Sequence, residues 1–215
     1  MNFEIMPLIS VAALTGIVHT LLGPDHYLPF IALAKARSWS RKTTIWVTSM
    51  CGLGHILSSV MIGYLAMGLR QSLSLLHIVD SYRSDFAAWA LIAFGLAYFI
   101  WGLKRLYKGK VQAHDLPAEG KFNLVVWSLF IIFVVGPCEP LFFLMTYPSL
   151  TYNFLAVFLL IGVFGLTTIM TMVGTVLVAS FGLNFVQGRE IMRFAPAISG
   201  IVIMLCGFGI KFLGL

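Results

Sequence analysis

Residues 152–182 run for 31 positions without one charged side chain. A helix that crosses the hydrocarbon core of a bilayer needs about 20 apolar residues, each adding 1.5 Å of rise. Within lipid the backbone has to satisfy its own hydrogen bonds, so runs of this kind read as spanning helices. Several other stretches are as apolar, and the chain is 60% hydrophobic and 10% charged, with a mean hydropathy of +0.96. The expectation is an all-α polytopic membrane protein in one transmembrane domain, residues 1–215, with the lipid bilayer as a partner and no nucleic acid. The net charge of +6 then belongs to loops that set topology. Three cysteines, Cys51, Cys138 and Cys206, all fall in apolar segments, so no disulfide framework is expected. The first apolar stretch follows Glu4 without a basic flank, and reads as a retained helix rather than a cleaved signal.

Six spans are predicted, at about 4–36, 43–69, 86–107, 122–148, 152–182 and 194–214. A polar stretch, 108–121, links repeat one (1–107) to repeat two (122–215). The loops after the first, third and fifth spans hold eleven of the fourteen basic residues, leaving out only Arg70, Arg83 and Lys211. The positive-inside rule places those loops in the cytoplasm and both termini outside a cell (inner) membrane. Three spans per repeat is an odd number, so the second repeat enters from the opposite side. That is a three-plus-three inverted repeat, an architecture of secondary transporters.

Two Gly-Pro turns break the first and fourth spans: Gly23-Pro24-Asp25-His26 and Gly136-Pro137-Cys138-Glu139, 113 residues apart. The same offset aligns Gly52-Leu53-Gly54-His55-Ile56 with Gly165-Leu166-Thr167-Thr168-Ile169. Proline removes a helix donor and clashes with the carbonyl four residues back, here those of Thr20 and Phe133. Each span should thus be two half-helices, with Pro24 and Pro137 able to begin the second half. Broken backbone at membrane depth is tolerated where it is buried in protein or faces a wet cavity. Proline kinks that only shape packing are the structural alternative. Asp25 and Glu139 are expected to be the only two of eight acidic residues inside spans. A carboxylate at mid-bilayer costs about 2.5–3.5 kcal/mol, so matched pairs at matched breaks suggest a substrate site.

His19, His26 and His55 lie in apolar spans, whereas His77 and His114 are expected in solvated loops. His19 precedes His26 by two helical turns, Asp25 adjoins His26, and Gly54 lets another helix approach His55. Imidazole nitrogen with carboxylate oxygen suits a divalent ion such as nickel, cobalt or zinc. The expected ligands are His19, Asp25, His26, His55 and Glu139, with Cys138 as a soft addition. Packing histidines, a Glu139 that caps free amides, and a Cys138 at ease in apolar surroundings are the structural alternatives. Ser58 and Thr168 are pore-lining candidates, although small hydroxyls also suit close helix contact.

His19-Thr-Leu-Leu-Gly-Pro-Asp25-His26 resembles the His-x4-Asp-His signature of nickel/cobalt transporters, with one residue more before the aspartate. Gly54-His55 resembles the Gly-His element of their next helix. Gly-Pro-Asp-His-Tyr-Leu-Pro-Phe, Cys-Gly-Leu-Gly-His and Gly-Pro-Cys-Glu-Pro-Leu resemble the six-helix urease-accessory (UreH)-like membrane proteins, on a scaffold related to the LysE and CcdA types. The resemblance covers most of the chain. It implies metal transport or metal homeostasis, with the metal as substrate and no permanent cofactor. The second turn also resembles those of CcdA-type thiol electron carriers, but Asp25 stands where their first cysteine would be. A sulfite-type anion exporter is the other alternative. Half-helix N-termini favour it, and two carboxylates with no arginine inside a span oppose it. The reading is a secondary transporter of a divalent transition metal ion, not an enzyme, with homo-oligomerisation left open.

Overall fold

A computed structural model describes residues 5–68, 73–107, 119–146, 154–182 and 189–214, and every regular element among them is helical. Helix α1 (Ile5–Leu22) ends before Gly23, a 3-10 turn covers Pro24–His26, and α2 (Leu28–Ala36) comes next. Helices α3 (Arg41–Gly68) and α4 (Leu73–Tyr107) complete the first half. The second half repeats the order: α5 (Glu119–Val135), α6 (Glu139–Thr146), α7 (Phe154–Gly182) and α8 (Arg189–Phe208), which ends in a π turn at Gly209–Leu213.

Four helical stretches are long and apolar enough to cross a membrane: Arg41–Leu65, Ile78–Tyr107, Leu155–Ser180 and Arg193–Leu213. Two bent pairs qualify jointly, Met6–Leu22 with Pro24–Ala36 and Leu124–Val135 with Glu139–Met145. Local chemistry explains the first half's boundaries. After α2 the amide of Trp39 reaches the Ala34 carbonyl at 2.9 Å and that of Ser38 reaches Lys35 at 3.3 Å. This is a Schellman closure, and it puts Ser38 at φ 50°, where glycine is usual. Ser40 then caps α3 by accepting the Thr43 amide at 3.1 Å.

The third span differs from expectation. It does not begin near residue 86, because α4 already runs from Leu73. Asp80, Arg83 and Asp85 therefore lie inside a candidate span, and Asp25 and Glu139 are not the only acidic residues within spans. His77 is helical rather than in a loop, while His114 lies outside the described residues. The stretch 78–85 is too polar to be read as a span from hydropathy alone. It continues as helix because Asp80 and Arg83 pair one turn apart, at 3.5 Å, and because Arg83 finds carbonyl partners at the end of α5.

Helix α1 packs on α7 and α3 on α5; α3 packs on α7 and α4 on α8. The α4–α8 seam is built from glycines. A Cβ on Gly102 would sit 2.6 Å from the Ala197 amide nitrogen, and Gly95, Gly200 and Gly207 also face backbone across the seam. Small residues let membrane helices approach this closely. One core cluster gathers Phe30, Leu33, Val47, Leu129, Phe133 and Met172; a second gathers Ala12, Ile56, Cys138, Leu141 and Phe164. The first places α2 and α3 against α5 and α7, which carries the break after Leu22 toward the middle of the bundle.

Candidate metal centre

The first break bends the chain by 85°. Gly23 is extended, at φ −91° and ψ 91°, so it is not there for a left-handed conformation. It is there for space: a Cβ would sit 2.6 Å from His26 Nδ1 and 3.0 Å from Asp25 Oδ1. Pro24 begins a single 3-10 turn rather than the second half-helix, which starts at Leu28. That turn swings His26 back under the end of α1, where its ring meets His19 edge-on with centroids 4.6 Å apart. The two histidines converge through the turn and not along one continuous helix face.

His55 arrives from α3. Gly54 brings that helix against α5, since a Cβ there would lie 2.8 Å from both the Phe130 ring and Val134. The His55 ring sits edge-on to His26, 5.3 Å between centroids. One ring nitrogen from each of His19, His26 and His55 lies within 4.8 Å of the others. Three ligand nitrogens around zinc, at about 2.1 Å each and tetrahedral, are about 3.4 Å apart. No pair has to close by more than about 1.4 Å to grip an ion.

Hydrogen bonding decides which nitrogens are free. His26 Nδ1 lies 3.2 Å from the Gly23 carbonyl oxygen and 3.2 Å from Asp25 Oδ1. His55 Nδ1 lies 3.2 Å from the Phe133 carbonyl oxygen. A carbonyl oxygen only accepts, so both rings donate from Nδ1–H and, when neutral, present Nε2 as a lone pair. Nε2 of His19, His26 and His55 is buried and has no hydrogen-bond partner. Buried polar atoms normally have a partner, and here three without one line the same cavity.

The other expected ligands separate. The Asp25 carboxylate, 22% exposed, is turned to the Nδ1 edge of His26, the edge opposite the free nitrogen. From there it would orient the ring, as the outer carboxylate does in carboxylate–histidine–metal arrangements. Glu139 is exposed and borders the cavity that the histidines occupy. Cys138 is fully buried among apolar side chains of the second core cluster and does not line that cavity. Neither joins the three imidazoles. Ser58 donates to the His55 carbonyl at 3.0 Å and accepts from Arg83, and Thr168 is fully buried facing Gly16. Neither hydroxyl borders the cavity.

The cavity measures about 620 Å3 and is bordered by both breaks, through Gly23 on one side and Gly136 and Pro137 on the other. Its polar end is the histidine cluster with Asp25; Leu14, Val18, Leu91 and Ile132 form an apolar flank. Sequence reasoning misses Arg83, which hydropathy leaves outside any span. Opposite charges three residues apart at Asp80 and Arg83 are the available signal. Comparison of the chain with protein-family models, with curated proteins and with solved structures finds no match.

Proposed function

We propose that the protein is a secondary transporter of a divalent transition metal ion, which His19, His26 and His55 hold through Nε2 between two broken spans. The observation that carries this reading is the set of three buried, unpartnered Nε2 atoms on histidines whose ring nitrogens cluster within 4.8 Å. Structural histidines normally have both nitrogens satisfied when buried. Here Nδ1 is used on His26 and His55, and Nε2 is left for a ligand. Nitrogen donors favour nickel, cobalt, copper or zinc over magnesium or calcium. Asp25 offsets part of the ion's charge from beside His26, and Glu139 offers a carboxylate near the cavity's edge.

The transport part rests on architecture. Six spans form if each bent pair is one crossing. Helices α3–α7 and α4–α8 pair as equivalents, and α1–α7 pairs as α3–α5 does, which is what a pseudo-twofold between the halves requires. Both breaks border one cavity, as irregular backbone at membrane depth demands. Loop charge supports both termini outside, and the UreH-like and nickel/cobalt transporter motifs support a metal as cargo.

The anion alternative gains one observation, since Arg83 does lie within a candidate span. Its donors go to carbonyls at the end of α5 and to serines, however, and it does not border the cavity. The deciding experiment is calorimetry and anomalous scattering with nickel, cobalt, zinc and manganese on purified protein, beside sulfite and thiosulfate. One divalent ion on the three histidines is expected. Sulfite transport in proteoliposomes without any metal requirement would overturn the reading. Labelling at position 112 by an impermeant reagent from outside would overturn the orientation.

A further inference from the structure

Arg83 is a cation within a candidate span that the metal site does not touch. Its side chain leaves its own helix for the broken end of α5. Nε donates to the Val135 carbonyl at 3.1 Å, and Nη2 reaches those of Gly136 at 2.9 Å and Val134 at 3.3 Å. A helix end leaves its last four carbonyls without amide partners, and at this depth water does not substitute freely. A planar guanidinium spreads five donors over three nitrogens and can reach oxygens set apart along a helix end, whereas a lysine ammonium offers three donors from a single point.

The next carbonyl back is that of Phe133, and it accepts from His55 Nδ1 at 3.2 Å and from the Gly136 amide at 3.2 Å. The oxygen that sets the His55 tautomer therefore belongs to the helix end that Arg83 holds. Arg83 also grips the other side of this contact. Nη2 donates to Ser58 Oγ at 3.1 Å, and Ser58 donates to the backbone carbonyl of His55 itself at 3.0 Å.

We propose that Arg83 is a positioning residue: by tying the α5 break to α3 it fixes the Phe133 carbonyl against His55 and so holds His55 Nε2 toward the cavity. A plain helix cap would stabilise α5 without governing the tautomer of a histidine on another helix. The effect on metal affinity rests on the proposed transport site; the effect on the His55 tautomer does not.

Full-length protein carrying 15N-labelled histidine, without added metal, gives the decisive readout, with the His55 signal assigned by its loss in His55→Ala. Wild type is expected to show a single Nδ1–H tautomer at His55. Arg83→Met is expected to give mixed tautomers there, and to weaken nickel or zinc binding by about 10–100-fold, the usual cost of losing an outer partner of a ligand. Should Arg83→Met not fold, as judged by helicity, Arg83→Lys decides, because it keeps the charge and loses the fork; a partial shift of the same signal is expected. An unchanged His55 signal in the folded variant overturns the proposal. Wild type that binds none of these metals while the tautomer still responds to Arg83 removes the transport-site reading and leaves this one standing.

Discussion

The two Gly-Pro breaks start from the same dipeptide and end differently. The first bends by 85° through a 3-10 turn and brings Asp25 and His26 inward. The second bends by 43°, with Cys138 buried in apolar packing and Glu139 exposed. Proline and glycine stop a helix at both places, by removing a donor and a side chain. The course of the chain beyond each break depends on which groups bond to the freed carbonyls. At the second break Arg83 and His55 reach them from neighbouring helices, and the two half-helices bend less. At the first, the Gly23 carbonyl accepts from the local His26 amide at 3.0 Å and faces the His26 ring, and the chain folds back on itself. The first break brings His26 against His19; the helix end at the second supplies the carbonyl oxygen that faces His55 Nδ1.

That division of labour is breakable by substitution, read as nickel or zinc affinity of the purified protein. His26→Ala removes a proposed ligand outright and is expected to lose more than about 100-fold, beyond the range for outer partners. Loss no greater than that of His77→Ala would move the site elsewhere. Asp25→Asn keeps an oxygen at His26 Nδ1 but removes the charge, and about 10–100-fold is expected. A complete loss would instead make Asp25 a direct ligand.

The paired glycines sharpen the contrast. In Gly23→Ala the new methyl collides with His26 Nδ1, 2.6 Å away, and about a tenfold loss is expected from the displaced ring. In Gly136→Ala the nearest atom is the Phe133 carbonyl oxygen at 3.3 Å, which shifts by tenths of an ångström, so less than about threefold is expected. Equal losses would mean that both breaks shape the ligands alike. The smallest effects belong to the second turn's own polar pair. Glu139→Gln removes an exposed charge at the cavity border and is expected to change affinity less than about threefold in 0.15 M salt. Cys138→Ser is expected to leave affinity unchanged and to change stability by less than about 1 kcal/mol, because the Leu141 amide that bonds the thiol at the start of α6 can bond the hydroxyl instead. Denaturant titration in detergent checks the second claim.

Much of the molecule is legible in the residue order. A run without charge from 152 to 182 can only be satisfied as a helix in lipid, and Gly-Pro weakens a helix wherever it stands. His19, His26 and His55 stand out because imidazoles are rare in such runs. Three things required the fold. Asp25 reads as a ligand by adjacency, but a 3-10 turn points it at the back of the His26 ring. Glu139 and Cys138 match the first turn's polar pair by position, but a shallower bend leaves one exposed and one in the core. Arg83 reads as a loop cation because hydropathy sums its charge with its neighbours'. It becomes part of a span because acceptors 51 to 53 residues later in the chain lie beside it. Local sequence dictates where hydrogen bonds are broken, since that is a property of the residue itself. Which group then satisfies the broken ones depends on what the bundle brings within about 3 Å, and only packing between distant segments decides that.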